Sequence, residues 1–439
     1  MRNVFLEKFL FPLGDVVLGT SFINRLNEVR RISSFSEVEL DKLHRQKLSK
    51  ILTYAVSKSS YYKALKIKLH EDPEKTLKQF PILTKSLLRE ECDNLLIGDK
   101  ARCILYQTSG SSGTPTKVYV DKEEESIFRA ILIGWWEWTG YRLGNPILQT
   151  GMTHRRGFVK TVKDFVTSTT YLNAFNLEKS YVVSILNKLR EKPIHYLGGY
   201  ASSLYLIAKI AKEEGIKIKF NSAICWGDKM FDHYRQTIEE VFNTKVYENY
   251  ACNEGIMIGQ KVDLPYYYIY TPNVHVEILD ESWNEVSDGE LGRVVVTKLD
   301  GYAMPMIRYY TGDLAIRLPR EQYPESRLYN FPLLKQVVGR DTDLIFTPEG
   351  QYFIVHTFTG IFAKFDQIKQ FRIIQDRLDS INIEYITGLN FTSEILKVIE
   401  REFVNKTATK LVINWHEVAE IPTGKSGKPQ IIQNNLVTK

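Results

Sequence analysis

The chain has 439 residues, of which 44% are hydrophobic and 25% charged, which is ordinary for a globular protein of two or three domains and excludes a disordered chain. The net charge of +6 is the small difference between 58 basic and 52 acidic residues spread along the chain, so no nucleic-acid partner is expected. The 4 cysteines lack paired spacing, which favours a reducing, cytoplasmic location over a zinc site or a disulfide framework.

Residues 4–18 are apolar but are interrupted by charged residues, Pro12 and Gly14. A membrane-spanning helix needs about 20 nearly uninterrupted apolar residues, and the segment also lacks a secretory cleavage pattern. We expect no transmembrane segment here, but an apolar arm packed on the body of the protein. Peripheral membrane association and a homodimer both stay open.

Apolar residues at helical spacing predict a helix over residues 36–66, and Thr84 is the predicted N-cap of a short helix that ends at Leu95. The next predicted helix, residues 121–139, begins with acidic residues, which suit a helix N-terminus. It ends in a cluster of tryptophans that we interpret as core rather than as a ligand cage.

Strands and helices then alternate up to Glu248, which predicts an α/β architecture with a largely parallel sheet. The predicted strands are 147–150, 194–197, 223–226 and 245–248, and the predicted helices are 179–190, 202–214 and 231–242. The runs over 266–296 predict an antiparallel sheet or a small barrel. Residues from 344 onward predict a compact α+β unit, with strands 368–375, 380–387 and 411–415 and a helix over 393–404.

Small and hydroxyl-bearing residues are concentrated at 108–117, between two predicted strands. Glycines let a backbone approach an anion, hydroxyls donate hydrogen bonds, and Lys117 supplies a positive charge. The stretch is not a Walker A loop, because no Gly-Lys-Ser/Thr follows Gly110 at the required spacing. It is interpreted as a phosphate-binding loop, with a tight hairpin turn as the alternative.

Two carboxylates follow predicted strands. Glu254 ends a stretch at the carboxyl edge of a parallel strand, where open α/β sheets bind ligands; it could hold Mg²⁺ on ATP phosphates, with Tyr250 stacked beside adenine or a substrate. Asp313, in a turn after Gly312, suits both hydroxyls of a ribose. For each carboxylate the alternative is an ordinary turn.

Two further stretches carry basic residues. Arg340 lies in a hinge-like junction, 338–343, and could contact phosphate or ribose. Near the C-terminus, glycines flank Lys425 and Lys428. Such an arm can deliver an ammonium group to an α-phosphate on which negative charge builds, and the alternative is a solvated loop.

In their order and separation these stretches resemble the adenylate-forming superfamily, and within it the phenylacetate-coenzyme A ligase family, especially its CapK-like capsule-biosynthesis branch. The resemblance covers almost the whole chain: 47–63, 80–85, 108–117, 199–204, 250–254, 308–313, 339–340 and 427–428. It implies an α/β fold with a large N-terminal domain, residues 1–340, of mixed and parallel sheets flanked by helices plus a β-rich subdomain. A small, mobile α+β C-terminal domain, residues 341–439, would follow.

The resemblance also implies an activity, the ATP-dependent, AMP-forming activation of a small carboxylic acid, with Mg²⁺ as the metal and coenzyme A as the usual acceptor. Thr108, Glu254 and Lys428 would be catalytic, Glu254 the Mg²⁺ ligand, and Asp341 the hinge between half-reactions. Lys425 fits less well, because the family lysine directly follows Ser-Gly. The ATP and acyl pockets would be lined by Ser109, Gly110, Ser111, Ser112, Gly113, Thr114, Lys117, Trp226, Gly227, Asp228, Asn249, Tyr250, Asp313 and Arg340.

Some residues depart from the family pattern: Thr114, Trp226, Asp228, Ala251 and Gln430. These departures leave the acid and the acceptor open, with an amine or a sugar hydroxyl as alternatives to coenzyme A. Two other functions are a transferase that delivers AMP to an acceptor and an inactive subunit of a polysaccharide assembly. The retention of Glu254, Asp313 and Lys428 argues against the inactive subunit, because buried charge is costly without a ligand.

Overall fold

The computed structural model describes residues 2–107, 116–151, 157–174, 177–191, 194–340, 344–349, 351–362, 364–407, 411–421 and 431–436. The helices are α1 Arg2–Phe5, α2 Phe11–Leu18, α3 Phe22–Ile32, α4 Glu37–Lys58, α5 Ser60–Ala64, α6 Pro73–Leu77, α7 Lys85–Glu90, α8 Cys92–Leu95, α9 Lys122–Trp138, α10 Phe158–Thr167, α11 Lys179–Glu191, α12 Ala201–Glu213, α13 Asp232–Phe242, α14 Val355–Phe362 and α15 Ser393–Thr407. A π-helical turn, Leu6–Leu10, joins α1 to α2.

The strands fall into one large sheet and three smaller ones. They are β1 Ile104–Gln107, β2 Lys117–Val120, β3 Ile147–Gly151, β4 Thr169–Asn173, β5 Tyr196–Tyr200, β6 Ser222–Trp226, β7 Val246–Cys252, β8 Ile256–Gln260, β9 Tyr267–Ile269, β10 Val274–Leu279, β11 Leu291–Lys298, β12 Tyr309–Arg317, β13 Leu333–Arg340, β14 Leu344–Phe346, β15 Tyr352–Ile354, β16 Ile368–Arg377, β17 Ser380–Thr387, β18 Val412–Glu417 and β19 Ile432–Asn434.

Among the described residues the large sheet has 11 strands, in the order β10-β11-β12-β13-β9-β8-β7-β6-β5-β3-β4. Its parallel half, β4-β3-β5-β6-β7, is connected through α10, α11, α12 and α13, because parallel neighbours need a crossover. The other half is antiparallel. The predicted α/β architecture is confirmed.

Strand β7 joins the two halves, since it is parallel to β6 and antiparallel to β8. The sequence predicted only its first part, up to Glu248, and treated the following β-rich segment as a separate sheet or barrel. The strand continues to Cys252 because β8 supplies a second hydrogen-bonding edge, with Tyr250 opposite Gly259. The α/β part and the β-rich part therefore share one continuous sheet.

Local capping residues set several helix boundaries. Thr84 accepts a hydrogen bond from the Leu87 amide at 3.2 Å, as predicted. Asp121 and Glu124 form a capping box at the start of α9. The predicted helix over 36–66 is interrupted at Ser59, whose extended backbone ends α4 and whose side chain caps α5. The sequence also gave no prediction for α10 and β4, which form one edge of the sheet.

Aromatic side chains of α9 join the helix layer to the sheet. Trp135 and Trp136 are buried, and Trp138 stacks on Tyr329 with 4.1 Å between ring centroids. Their interpretation as core is confirmed. None of the described helices is long and apolar enough to cross a membrane.

Beyond β13 the described residues form a four-stranded sheet, β18-β17-β16-β19, covered by α14 and α15. Phe358 and Phe403 stack between the two helices, with ring centroids 5.3 Å apart. The predicted α+β unit is confirmed, although its strands β18 and β19 pair in parallel with β17 and β16.

Candidate active site

Two phenol groups hold the two predicted carboxylates. The Tyr250 hydroxyl donates a hydrogen bond to Asp313 Oδ2 at 2.9 Å, and the Tyr309 hydroxyl donates one to Glu254 Oε1 at 2.6 Å. Each bond connects β7, or the turn that follows it, to β12. The structure thus brings together residues that lie more than fifty positions apart in the chain.

Curling of the sheet makes these bonds possible. Three strands separate β7 from β12 in the sheet order, so a flat sheet would place them about 19 Å apart. Register shifts occur at Tyr250/Ala251 in β7 and at two places in β12, and such bulges increase local bending and twist. The curl closes the β-rich half over the end of β7, where the candidate site lies.

Burial determines the protonation of this network. It raises the pKa of both phenols well above the ordinary value, and the carboxylates of Asp313 and Glu254 add to the effect on Tyr250 and Tyr309. Both phenols are therefore hydrogen-bond donors at neutral pH. Burial also raises the pKa of Asp313, while the charges of Arg340 and Lys85 lower it.

Arg340 faces the site from β13. It lies directly opposite Asp313 in the antiparallel pair of β12 and β13, and it is exposed. Residues on the same face of such a pair are close enough to interact. Asp313 and Arg340, both predicted to bind the nucleotide, are therefore neighbours, with the carboxylate of Asp313 next to the guanidinium of Arg340.

Lys85 is a component of the site for which no function was predicted from the sequence. The preceding Leu83 is bound to β12 through its amide, which donates to Arg308 O at 2.9 Å, and its carbonyl, which accepts from Tyr310 N at 3.0 Å. This places Lys85 Nζ 3.9 Å from the position of a Cβ on Gly312, next to Asp313. Within the part of the chain that the structure describes, Lys85 forms no ion pair.

A buried ion pair fixes the segment that carries Lys85. Arg308 is 3.0 Å from Glu277, and its guanidinium also donates to Phe80 O at 3.1 Å. The sequence did contain a local signal for the position of Lys85. The predicted N-cap Thr84 makes Lys85 the first residue of the helix. The strand against which it would lie was not predictable from local pattern.

The residues predicted after β6 form a second wall on the parallel half. Trp226 stacks on Trp136 with 5.5 Å between ring centroids. Gly227 has φ +83°, and a Cβ there would lie 2.3 Å from the Tyr200 ring, so only glycine fits. The strands β5, β6 and β7 are parallel, so their carboxyl ends lie at the same end of the sheet. This wall therefore lies on the same side of the site as Tyr250.

Asp228 binds the start of α12. Its carboxylate accepts hydrogen bonds from the Ala201 amide at 2.6 Å and from the Ser202 amide at 3.2 Å. A carboxylate suits the unpaired amides of a helix N-terminus. The contacts observed for Asp228 are therefore structural ones that hold the α12 end of the pocket wall in place.

Asn249 differs from its neighbour Tyr250. Successive residues of a strand face opposite sides of the sheet, so Asn249 points away from the side of Tyr250. It lies opposite Gln260, and the side-chain amides of both are buried without a hydrogen-bond partner among the described residues. Such orphaned amides are costly unless something else binds them.

The donor set fits a magnesium nucleotide. The described residues contain no cluster of three or more His, Cys, Asp or Glu that could hold a metal ion by itself. Mg²⁺ bound together with phosphates needs only one or two carboxylates, and the buried Glu254 is one. Two cations, Lys85 and Arg340, beside two carboxylates match the mixed charge of such a ligand.

The predicted phosphate loop joins two strands. Strands β1 and β2 pair with Gln107 opposite Lys117, so residues 108–116 connect the ends of an antiparallel hairpin. Lys117 is exposed at the start of β2. Other predicted residues lie outside the described ranges: Thr108, Ser109, Gly110, Ser111, Ser112, Gly113, Thr114, Asp341 and Lys428.

A mixed sheet with these carboxylates at its junction, followed by an α+β unit, defines an adenylate-forming enzyme fold. A crystal structure of 2-hydroxyisobutyryl-CoA ligase in the postadenylation state with 2-HIB-AMP shares it, with a TM-score of 0.70 at 15% identity over 93% of this chain and 92% of that one. An open conformation of the same ligase with 2-HIB-AMP and CoA gives 0.62 at 16% identity, over 90% and 91% of the two chains.

The chain is homologous to CapK and to phenylacetate-coenzyme A ligases. CapK of Staphylococcus aureus is 23% identical over 432 residues, which are 93% of this chain and 92% of CapK. Phenylacetate-coenzyme A ligase of Pseudomonas putida is 29% identical over 135 residues, 29% of each chain. Residues 345–435 match the CapK C-terminal domain. These similarities confirm the resemblance found in the sequence.

Proposed function

We propose that this protein is an AMP-forming carboxylate ligase, which joins a carboxylic acid to ATP with release of pyrophosphate and then passes the acyl group to an acceptor. The observation that carries the proposal is the pair of phenol-bound carboxylates, Asp313 and Glu254, with Lys85 beside them. A catalytically idle scaffold would not need a buried acid, a partly buried acid and two cations on one wall.

The proposal gives a function to each candidate site residue that lies within the described ranges. Asp313, oriented by Tyr250, accepts the ribose hydroxyls, and Arg340 lies beside it. Glu254, oriented by Tyr309, would hold Mg²⁺, which would supply positive charge to the phosphates. Trp226 and Gly227 shape the adenine and acyl pockets, and Asp228 supports them through its hydrogen bonds to the start of α12. Asn249 offers its side-chain amide to the ligand from the face of β7 opposite to that of Tyr250.

The other functions fall to Lys117, at the start of β2, and to residues outside the described ranges. In the proposal, residues 108–114 and Lys117 hold the triphosphate, with Thr108 closest to the reacting phosphate. Lys428 neutralises charge on the α-phosphate as the acyl-adenylate forms. The domain of residues 341–439 turns about Asp341 between half-reactions, moving Lys428 out of the site.

Coenzyme A is the proposed acceptor, because both the homologous ligases and the similar solved ligase carry coenzyme A in their names. We place the enzyme in the cytoplasm, where ATP and coenzyme A are available. A supply of activated acyl groups for surface polysaccharide is the proposed context, given the similarity to CapK over 93% of the chain.

The test is pyrophosphate exchange into ATP with pools of aromatic, aliphatic, hydroxy and amino acids, run beside Lys428→Ala. Exchange that depends on one pool and is lost in the variant would establish adenylation, and dividing that pool would identify the acid. Retention of full exchange in Lys428→Ala would exclude the proposed function of Lys428. Absence of both exchange and ATP binding would overturn the ligase proposal.

A further inference from the structure

The N-terminal helical segment, residues 2–18, exposes apolar side chains. Phe5 and Phe9 stack on each other with 5.7 Å between ring centroids. The surface helices of a globular protein normally turn such residues inward. The exposed apolar residues of the segment, with relative exposures of 54–80%, are Val4, Phe5, Phe9, Leu13, Val16, Val17 and Leu18.

The acidic side chains of the segment face the protein body instead. Glu7 forms an ion pair with Arg30 at 2.9 Å, and Asp15 accepts a hydrogen bond from the Ile23 amide at 2.9 Å. Leu6 is buried on the same side. The polarity of the segment is therefore inverted, and these contacts hold its apolar face toward solvent.

We propose that residues 2–18 form a membrane-surface anchor, whose apolar face inserts into the interfacial region of a bilayer with anionic headgroups. Charge identifies this partner. Lys8 is exposed on the outward side, and the exposed Lys122 binds the far end of the segment, donating from Nζ to Leu18 O at 2.7 Å. On the inward side Glu7 is paired with Arg30 and Asp15 is bound by backbone amides. The exposed charged side chains beside the apolar stripe, Lys8 and Lys122, are in contrast both basic.

A second copy of the chain fits this face less well. A two-fold interface pairs the same surface patch of both subunits, so Lys8 of each copy would enter one interface without an acidic partner on this face. The bilayer provides both the apolar medium and the negative charge. The segment would lie in the surface plane, consistent with the absence of a membrane-spanning helix among the described helices.

The test measures partition of the full chain onto vesicles by flotation. The variant Phe9→Ser/Leu13→Ser removes one aromatic and one aliphatic side chain from the face. The matched control, Phe165→Ser/Leu389→Ser, removes the same two residue types from elsewhere, where they are 84% and 87% exposed. Vesicles of phosphatidylcholine alone are compared with vesicles that also contain phosphatidylglycerol.

We expect wild type and the control variant to float with the anionic vesicles and the test variant to partition about 100-fold less, about tenfold for each side chain. Lys8→Glu should weaken binding to the anionic vesicles and leave the weak binding to phosphatidylcholine unchanged. Pyrophosphate exchange in solution should be the same in all variants, so this proposal and the catalytic one are tested separately.

Three outcomes would overturn the anchor. They are absence of wild-type binding to either vesicle, an equal loss of binding in the control variant, and a wild-type dimer that Phe9→Ser/Leu13→Ser converts to monomer in sedimentation velocity without vesicle binding. The last result would show that a second copy covers the face.

Discussion

At the residue scale, the two phenols determine how the carboxylates are presented. Because the pKa values of Tyr250 and Tyr309 are raised, both remain protonated, and Asp313 and Glu254 must each accept. The sequence predicted both acids and Tyr250 from motifs. It did not predict that Tyr309, within the same motif as Asp313, binds Glu254, because this contact depends on the curl of the sheet.

Asp313→Asn should weaken ATP binding about 10-fold to 100-fold, because a hydrogen bond to a charged acceptor is lost. Tyr250→Phe, which removes only the orienting bond, should weaken it less, by about tenfold at most. Titration calorimetry with ATP measures both. Asp288→Asn, at an exposed acid paired with Arg317 at 3.5 Å, is the control and should bind ATP normally. Unchanged affinity in a folded Asp313→Asn protein would exclude the ribose function.

Lys85→Met should lower kcat/KM for pyrophosphate exchange about 10-fold to 100-fold, because a positive charge beside Asp313 is lost while the fold keeps its contacts. Lys85→Arg should restore part of the rate. Lys75→Met, at an exposed lysine of α6, serves as the control. Equal rates for wild type and Lys85→Met would show that Lys85 lies near the site without acting there.

At the element scale, local signals were sufficient where a single side chain closes a helix end. The predictions for Thr84 and for the helix that follows Asp121 needed only residues within one turn. Strand β7 is the opposite case. Its extension to Cys252 depends on β8, which no local pattern around Glu248 reveals.

A pair of histidines, the buried His44 and the partly buried His275, connects α4 to β10. His44 donates from Nδ1 to Thr271 O at 2.8 Å, so its Nε2 accepts from His275 Nδ1 at 2.9 Å. Burial lowers the pKa of His44, and it lowers the pKa of His275 to about 3. Both rings are therefore neutral in the folded protein at neutral pH.

This pair should make the protein less stable in mild acid. Below about pH 6.5 the unfolded histidines bind protons more readily than the folded ones, so the free energy of unfolding falls as the pH drops, and for His275 this fall continues toward pH 3. For His275 the dependence of the unfolding free energy on pH approaches about 1.4 kcal/mol per pH unit. Urea unfolding at several pH values measures how the free energy of unfolding depends on pH. This dependence should be weaker in His275→Gln than in wild type, and unchanged in the exposed His70→Gln. Identical slopes in all three proteins would contradict this.

At the scale of the whole molecule, the site is assembled from distant parts. Segment 80–85, the ends of β5 to β7, and strands β12 and β13 each contribute, and the α+β unit comes after β13 in the chain. The proposed reaction requires that this site serve two half-reactions, the first with ATP and the acid and the second with coenzyme A.

Asp341→Pro should separate the two half-reactions. Proline fixes φ near about −65°, so rotation at the proposed hinge is prevented. With the acid found by the exchange assay, we expect exchange to persist and thioester formation with coenzyme A to fall about 100-fold. The reason is that the C-terminal domain would not reach the orientation that the second half-reaction requires. Asp341→Ala should support both steps. Equal loss of exchange and thioester formation in Asp341→Pro would place the hinge elsewhere.

The sequence by itself determined the fold class, most of the alternation of strands and helices, and the helix starts at Thr84 and Asp121, and it singled out Glu254 and Asp313 as candidate site acids. These follow from periodicity and from motifs only a few residues long, which depend on short-range sterics and hydrogen bonding. Only the tertiary structure decided that β7 unites the two halves of the sheet, that Tyr309 binds Glu254, and that Lys85 lies beside Gly312. Each of these contacts closes a long loop of chain, and its energy comes from burial and pairing with partners that local sequence does not specify.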